Sequence, residues 1–297
     1  SANGDTRRPL VYLLIAGILN VIFNLFFVIV CKMAEDGVAL ASIITQYVSA
    51  ALILIHMARQ NDDCAFRLHD MKNGLDKTEV KRVLGLGIPA GLQNAIFAVA
   101  NLFIQSAVNS FDSVMVEGNS AAANADSVIY NVMAAFYTAC STFMGQNLGA
   151  GKQKRMLESY FIGLTYSFAV GAVLGAALFV FGREFLSLFA NDEAVIEAGL
   201  QRTRIMSFSY AFSAFMDCTI AACRGIGKSF APTVIVIMGS CVFRVVWIYT
   251  VFAYFRTIPS LYLLYIFSWA ITAIAEIICF VINYKKLYSA EIIEEKE

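Results

Sequence analysis

The sequence predicts an all-α membrane protein in which eight helices cross the bilayer. Of its 297 residues, 59% are hydrophobic and 15% are charged, whereas a soluble domain carries about 25% charged residues. The apolar residues occur in long blocks, and the charged residues cluster in the short gaps between them. Blocks of about 20 apolar residues match the thickness of a bilayer, so this pattern predicts membrane-spanning helices and not one large soluble core.

Eight blocks have the length that one crossing needs. The predicted spans cover residues 9–30, 37–58, 83–111, 121–146, 157–182, 204–223, 232–255 and 259–284. The third and fourth spans are the least apolar of the eight. Between the fifth and sixth spans, the amphipathic segment 183–202 is expected to lie along the outer membrane surface.

The distribution of Lys and Arg predicts the orientation of these spans. Sixteen of the 22 basic residues fall in the two termini and in alternate gaps, and five fall in the other gaps. The positive-inside rule places the richer side, and both termini of this chain, in the cytoplasm. Residues 59–82 form the longest polar segment, which is expected to be a cytoplasmic linker, and 285–297 a cytoplasmic tail.

The composition argues against several other classes of protein. The net charge is zero, which gives no indication of a nucleic-acid partner. Seven cysteines without a CxxC pair and two histidines predict neither a disulfide framework nor a metal site, and we expect no cofactor. Neither HExxH nor a paired Asp-rich or Ser/His arrangement is present, so the sequence favours transport over an enzyme activity.

The chain also contains an internal repeat. Gly4 and Pro9 match Gly227 and Pro232 at an offset of 223 positions, and the spans that follow stay in register. Such a repeat predicts two six-helix units of the same orientation. Residues 1–58 would then hold the last two helices of a first unit, and 83–284 a complete second unit. The preceding helices of the first unit, or another copy of the chain, would be needed to complete a cavity between units.

Four segments of the chain resemble the multidrug and toxic compound extrusion family. They are GIPAGLQNAIFAVANLFIQSAVNSF at 87–111, FMGQNLGAGKQKR at 143–155, FLSLFANDEAVIEAG at 185–199 and RGIGKSFAP at 224–232. The GQN-x-GAGK segment is the most specific of these. The resemblance implies two six-helix lobes around a central cavity that opens alternately to each side of a bacterial cytoplasmic membrane. It also implies export of small organic, often cationic, compounds in exchange for protons or sodium ions.

Two alternatives to a complete exporter stay open. One is a flippase of related architecture for lipid-linked saccharides, and the other is an inactive truncated fragment of such a transporter. The third predicted span has no carboxylate, although several members of the family use one there. Coupling to a proton and coupling to sodium therefore both remain possible.

Three ionisable residues of the predicted spans are candidates for a charge network. A central Arg costs at least about 2.5–3.5 kcal/mol in a membrane, so Arg244 is expected to face the protein interior and to have a partner. Asp217 and Glu276 are the candidate partners. The three residues are predicted to form a charge network that loads and releases the coupling ion, with a purely structural ion pair as the alternative.

Amides and tyrosines form polar stripes on the third and fourth spans. Spacings of four and seven residues place such side chains on one helix face. Because lipid cannot satisfy amides, these stripes are expected to line a cavity and bind substrate, with hydrogen bonds between helices as the alternative. The candidate residues are Gln93, Asn94, Asn101, Gln105, Asn131 and Tyr137.

Two further features of the spans lead to local expectations. Asp126 lies near the predicted outer end of the fourth span, where we expect a solvated residue at the mouth of the cavity. Gly171 and Gly175 form the small-xxx-small pattern of closely packed helices, which predicts a structural role in the fifth span.

Overall fold

The computed structural model describes residues 4–59 and 76–294, with side chains up to residue 287, and these residues are helical with short connections. The chain divides into two compact units, Ser1–Val80 and Lys81–Glu297. The helices are α1 (Arg7–Val30), α2 (Glu35–Arg59), α3 (Lys77–Val108), α4 (Ser113–Gly149), α5 (Gln153–Val180), α6 (Gly182–Leu186), α7 (Glu193–Met206), α8 (Ser209–Gly225), α9 (Phe230–Phe255) and α10 (Ile258–Glu294).

Six of these helices are long and apolar enough to cross a membrane, namely α1, α2, α3, α5, α9 and α10. The pair α7 and α8 adds a seventh span if its two arms are counted together. The fourth predicted span corresponds to α4, which is 37 residues long but rich in Asn, Ser and Thr and is not among these six. The chain is therefore a multi-pass membrane protein, and the count of eight spans stays a prediction.

Several helices extend beyond their predicted apolar limits. Helix α4 begins at Ser113 and not at 121, because the Asp112 side chain accepts a hydrogen bond from the Met115 backbone N–H at 2.8 Å and caps the helix. Helix α3 begins at Lys77, inside the predicted linker 59–82. Residues 60–75 of that linker lie outside the described residues, and α10 continues into the predicted tail. Charged helix ends do not show in hydropathy, which explains these differences.

The sixth predicted span, at 204–223, is wrong as a single helix. The chain breaks at residues 207–208, and α7 and α8 meet there at an angle of 54°. The segment 183–202, expected to lie on the membrane surface, forms α6 and most of α7. Because α7 packs against α4 and buries Val195, Ile196 and Leu200, it is an integral part of the second unit.

The backbone shows the same features in the two matched hairpins, α1–α2 and α9–α10. Gly4 and Gly227 both adopt the left-handed conformation, with φ of +79° and +77°, which explains why each copy has glycine there. Lys32 and Arg256, at the far ends of α1 and α9, also share positive φ values of 52° and 47°. Both helices widen into a π-helical turn just before that point. This local agreement supports the repeat seen in the sequence.

Helix α5 crosses the break between α7 and α8 at close range. A Cβ atom on Gly175 would clash with the backbone carbonyl of Ser207, and one on Gly171 would lie 3.2 Å from the carbonyl oxygen of Tyr210. Likewise, a Cβ on Gly118 of α4 would lie 2.6 Å from the backbone nitrogen of Gly199 in α7. The bent pair is thus held between α4 and α5 by contacts that only glycine permits, as the spacing of Gly171 and Gly175 predicts.

Gly175→Ala is expected to destabilise the protein, because the added methyl group meets a backbone carbonyl that cannot rotate away. Overpacking of this kind costs about 1–3 kcal/mol, which thermal unfolding in detergent would detect as a lower midpoint. Gly149→Ala is the matched control, since a Cβ on Gly149 has no atom within 4 Å. Equal midpoints for the two variants would contradict the close crossing.

Candidate functional site

A cavity of about 510 Å³ lies within the second unit. Pockets for small organic molecules have volumes of about 300–1,000 Å³, so its size fits such a ligand. The lining combines charged, amide and aromatic side chains from α3, α4, α7, α8, α9 and α10. They are Asp126, Arg202, Asp217 and Arg244, then Asn101, Gln105 and Asn119, then Phe97, Tyr130, Tyr137, Tyr265 and Trp269.

One wall of the cavity contains a buried ion pair between Asp126 of α4 and Arg202 of α7. Arg202 Nη2 donates to Asp126 Oδ2, and the hydroxyl of Tyr210 in α8 donates to Asp126 Oδ1. Arg202 Nη1 donates to the backbone carbonyl of Asn119 at 2.7 Å. Asp126 and Arg202 are 8% and 6% exposed, so the pair is shielded from solvent. The expectation that Asp126 is a solvated mouth residue is therefore wrong.

The ion pair belongs to a larger polar network. The Tyr262 hydroxyl of α10 donates to Asn119 Oδ1 at 2.8 Å, and the Tyr262 ring lies 5.5 Å from Arg202 Cζ. Asn119 Nδ2 in turn lies 3.5 Å from Gln105 Oε1 of α3, at the limit of a hydrogen bond. Side chains from five helices thus meet around one carboxylate and one guanidinium.

Arg244 lies in an aromatic cage and not in the expected ion pair. Its Nε donates to Ser268 Oγ at 3.2 Å, and no ion pair of Arg244 with Asp217 or Glu276 occurs among the described residues. Its Cζ lies 4.6 Å from the Tyr265 ring, 5.5 Å from Phe97 and 5.8 Å from Trp269. Cation–π attraction to three rings stabilises a buried guanidinium, which explains why no carboxylate needs to contact it.

Asp217 is the carboxylate that shares the cavity with Arg244. The residue is partly buried, and its side chain makes no hydrogen bond or ion pair with the described residues. Its carboxylate is therefore available to a proton, a cation or a ligand in the cavity. Of the predicted site residues, Asn101, Gln105 and Tyr137 also line this cavity.

Glu276 lies in a second polar cluster outside the cavity. It is 0% exposed, and neither carboxylate oxygen has a hydrogen-bond partner among the described residues. Arg224 of α8, and not Arg244, is the cation whose charge acts on it. Arg224 Nη2 donates to Gln93 Oε1 at 2.9 Å, so Gln93 belongs to this cluster and not to the cavity lining. The predicted network of Asp217, Arg244 and Glu276 is thus divided between two places.

The remaining predicted residues, Asn94 and Asn131, are exposed and do not line the cavity. Conversely, the sequence reasoning missed the contribution of Arg202, Tyr210 and Asn119. A usable signal existed for Asn119, which lies seven residues before Asp126 and therefore on the same face of α4. No such signal existed for Arg202, because the sequence predicts that its segment, 183–202, lies along the membrane surface.

Asp126→Asn is expected to lower the stability of the protein strongly, because Arg202 would remain buried without a counter-charge. Removing one partner of a buried pair costs about 3–5 kcal/mol, measurable as a lower unfolding midpoint in detergent. The control is Glu193→Gln, which removes the exposed ion pair with Arg183 and should cost less than about 1 kcal/mol. A smaller loss for Asp126→Asn than for Glu193→Gln would refute the structural role of the buried pair.

The chain matches a family model and several curated proteins. The MatE family model matches residues 89–250 of the chain. Over 211 residues the chain is 29% identical to the probable multidrug resistance protein YpnP of Bacillus subtilis, covering 71% of this chain and 46% of that protein. Over 203 residues it is 27% identical to the FAD transporter of Shewanella oneidensis, covering 66% of this chain and 44% of that protein. The chain spans about half the length of the curated relatives it matches.

Solved structures show the same fold. The outward-facing conformation of a multidrug resistance MATE family transporter superposes with a TM-score of 0.87 at 18% identity, covering 96% of this chain and 64% of that one. A MATE structure in the bent conformation gives a TM-score of 0.84 at 17% identity, covering 97% of this chain and 64% of that one. The agreement extends over nearly the whole chain.

Proposed function

The chain belongs to the MatE family, whose members are transporters and not enzymes, and we propose that it is part of a cation-coupled antiporter that exports organic compounds. The cavity of about 510 Å³ carries this proposal. It combines aromatic surface with two charged residues, Asp217 and Arg244, that form no ion pair. Such a cavity offers both a surface for an organic molecule and a group for the coupling ion.

The names of the relatives support an organic substrate. YpnP and the NorM protein of Halalkalibacterium halodurans are both named probable multidrug resistance proteins. The relative from Shewanella oneidensis is named an FAD transporter, so the names of these relatives are not confined to drug resistance. We therefore place small organic molecules, among them cationic drugs and toxic compounds, as substrates of the complete protein.

Asp217 is the residue to which we assign ion coupling. It faces the cavity without an ionic partner, whereas Asp126 is held by Arg202 and Glu276 lies outside the cavity. A proton or sodium ion on Asp217 would alter the charge that a substrate meets. Moving one charge across about 100 mV supplies about 2.3 kcal/mol, which sustains a substrate gradient of roughly 50-fold.

The transport cycle that fits this assignment is alternating access in a bacterial cytoplasmic membrane. We place both ends of this chain on the cytoplasmic side, in keeping with the distribution of Lys and Arg. Further helices of a first lobe, or a second copy of the chain, would be needed to form a central cavity between two lobes. Two lobes that rock about the cavity would open it to each side in turn.

Asp217→Asn is expected to reduce efflux to the background level, because an amide cannot exchange a proton or bind sodium as a carboxylate does. The measurement is efflux of a fluorescent organic cation from bacteria that lack their own exporters and express the protein as its gene encodes it. Glu117→Gln is the control, since Glu117 is an exposed carboxylate of α4 and should leave efflux unchanged.

Equal amounts of each variant in the membrane fraction would show that insertion is intact. Unchanged efflux by Asp217→Asn would remove Asp217 from the coupling mechanism. Proteoliposomes with only a proton gradient, or only a sodium gradient, would identify the coupling ion.

A further inference from the structure

The cavity contains a guanidinium that forms no ion pair with the described residues, although its charge acts on Asp217. Arg244 is 3% exposed, and its Nε is hydrogen-bonded to Ser268. Neither of its Nη nitrogens has a hydrogen-bond partner among the described residues, and neither is fully enclosed, so both are accessible from the cavity. A buried guanidinium usually has all its donors satisfied, and free donors therefore indicate a partner that is not part of the chain.

The surroundings of Arg244 hold its charge in place without cancelling it. Tyr265, Phe97 and Trp269 surround the guanidinium at 4.6–5.8 Å. These rings attract the cation but carry no formal charge, unlike a carboxylate partner. The two Nη donors of Arg244 therefore remain without a protein hydrogen bond, and their planar geometry matches a carboxylate or phosphate.

The backbone around Arg244 is also unusual. Arg244 lies on a five-residue α-helical stretch, Phe243–Trp247, between two π-helical segments, Ile237–Val242 and Ile248–Phe252. Such π-helical turns cost regular hydrogen bonding and occur frequently at functional sites. Just before Arg244, Ser240 and Thr272 are joined by a hydrogen bond of 3.0 Å, which fixes α9 against α10. The helix thus positions Arg244 firmly.

The other charges of the cavity leave this positive charge available. Asp126 and Arg202 are paired with each other and contribute no net charge. Asp217 and Arg244 act on each other's charge but form no ion pair, so each has polar atoms available to a ligand in the cavity. A purely cationic substrate would be attracted by Asp217 but repelled by Arg244. A substrate with an acidic group would satisfy the guanidinium donors.

We propose that the cavity binds an aromatic compound carrying a carboxylate or phosphate group, with that group on the Nη donors of Arg244. This inference rests on the proposed transport function and names its substrate class. The ring system of the compound would lie against Trp269 and Tyr130, whose ring centroids are 6.1 Å apart.

The test is a set of compounds that share one ring and differ in charge. The protein, expressed as its gene encodes it, is purified in detergent, and equilibrium dialysis measures its affinity for four naphthalene compounds. They are 1-naphthoate, 1-naphthyl phosphate, 1-naphthamide and 1-naphthylmethylammonium. Naphthoate or naphthyl phosphate should bind at least about tenfold more tightly than naphthamide, since a hydrogen bond to a charged group supplies this much. Whichever of the two acids binds identifies the acidic group.

Three variants then test which charged residue binds the acidic compounds. Arg244→Gln should lower the affinity for the acids about tenfold or more and leave or improve binding of the ammonium compound, which also shows that the variant is folded. Asp217→Asn should weaken binding of the ammonium compound and leave or improve binding of the acids. Arg204→Gln, on the exposed side of α7, is the matched control and should change neither affinity.

The outcomes separate this inference from the proposed function. If naphthamide or the ammonium compound binds wild-type protein as tightly as the acids do, the inference is wrong, whatever the variants show. If the acids bind preferentially but Arg244→Gln does not weaken their binding, the acids do not bind to Arg244, and the inference is again wrong. If the acids bind as expected and the protein exports no compound from cells, the inference stands and the transport function does not.

Discussion

The ion pair between Asp126 and Arg202 is the interaction on which the second unit depends most heavily. Each charge would cost several kcal/mol if it were buried alone, so both must be held in contact and hydrogen-bonded. Tyr210 and the backbone carbonyl of Asn119 add two further hydrogen bonds to these contacts. Because the partners belong to α4, α7 and α8, the need to satisfy two charges fixes the relative positions of three helices and the bend between two of them.

This constraint divides the charges of the cavity into two kinds. The paired charges of Asp126 and Arg202 shape the wall, and the glycine contacts of α5 with the bend hold that wall closely packed. Asp217 and Arg244 line the same cavity but have no ionic partner there, so they are free to interact with ions and substrates. The proposed ion-coupled transport rests on this arrangement, in which a closely packed wall lies beside two charges that form no ion pair.

The sequence predicted the parts of this structure that depend on local pattern. Apolar blocks located most of the spanning helices, and the match of Gly4 with Gly227 picked out two positions that share a positive φ. It could not show the break between α7 and α8, where Ser207 and Phe208 provide neither Gly nor Pro. It also could not pair Asp126 with Arg202, 76 positions away, since helical spacing gives the face of a residue but not the helix that covers it.

The most direct test of this account is hydrogen–deuterium exchange of the whole protein in detergent, compared between wild type and Arg202→Met. If the buried pair fixes the bent helices, backbone amides of α7 and of the first turns of α8 will exchange much faster in the variant, while those of α2 in the first unit will be unchanged. Equal exchange across α7 in the two proteins would show that the glycine contacts and apolar packing hold the bend without the pair, and would contradict the account.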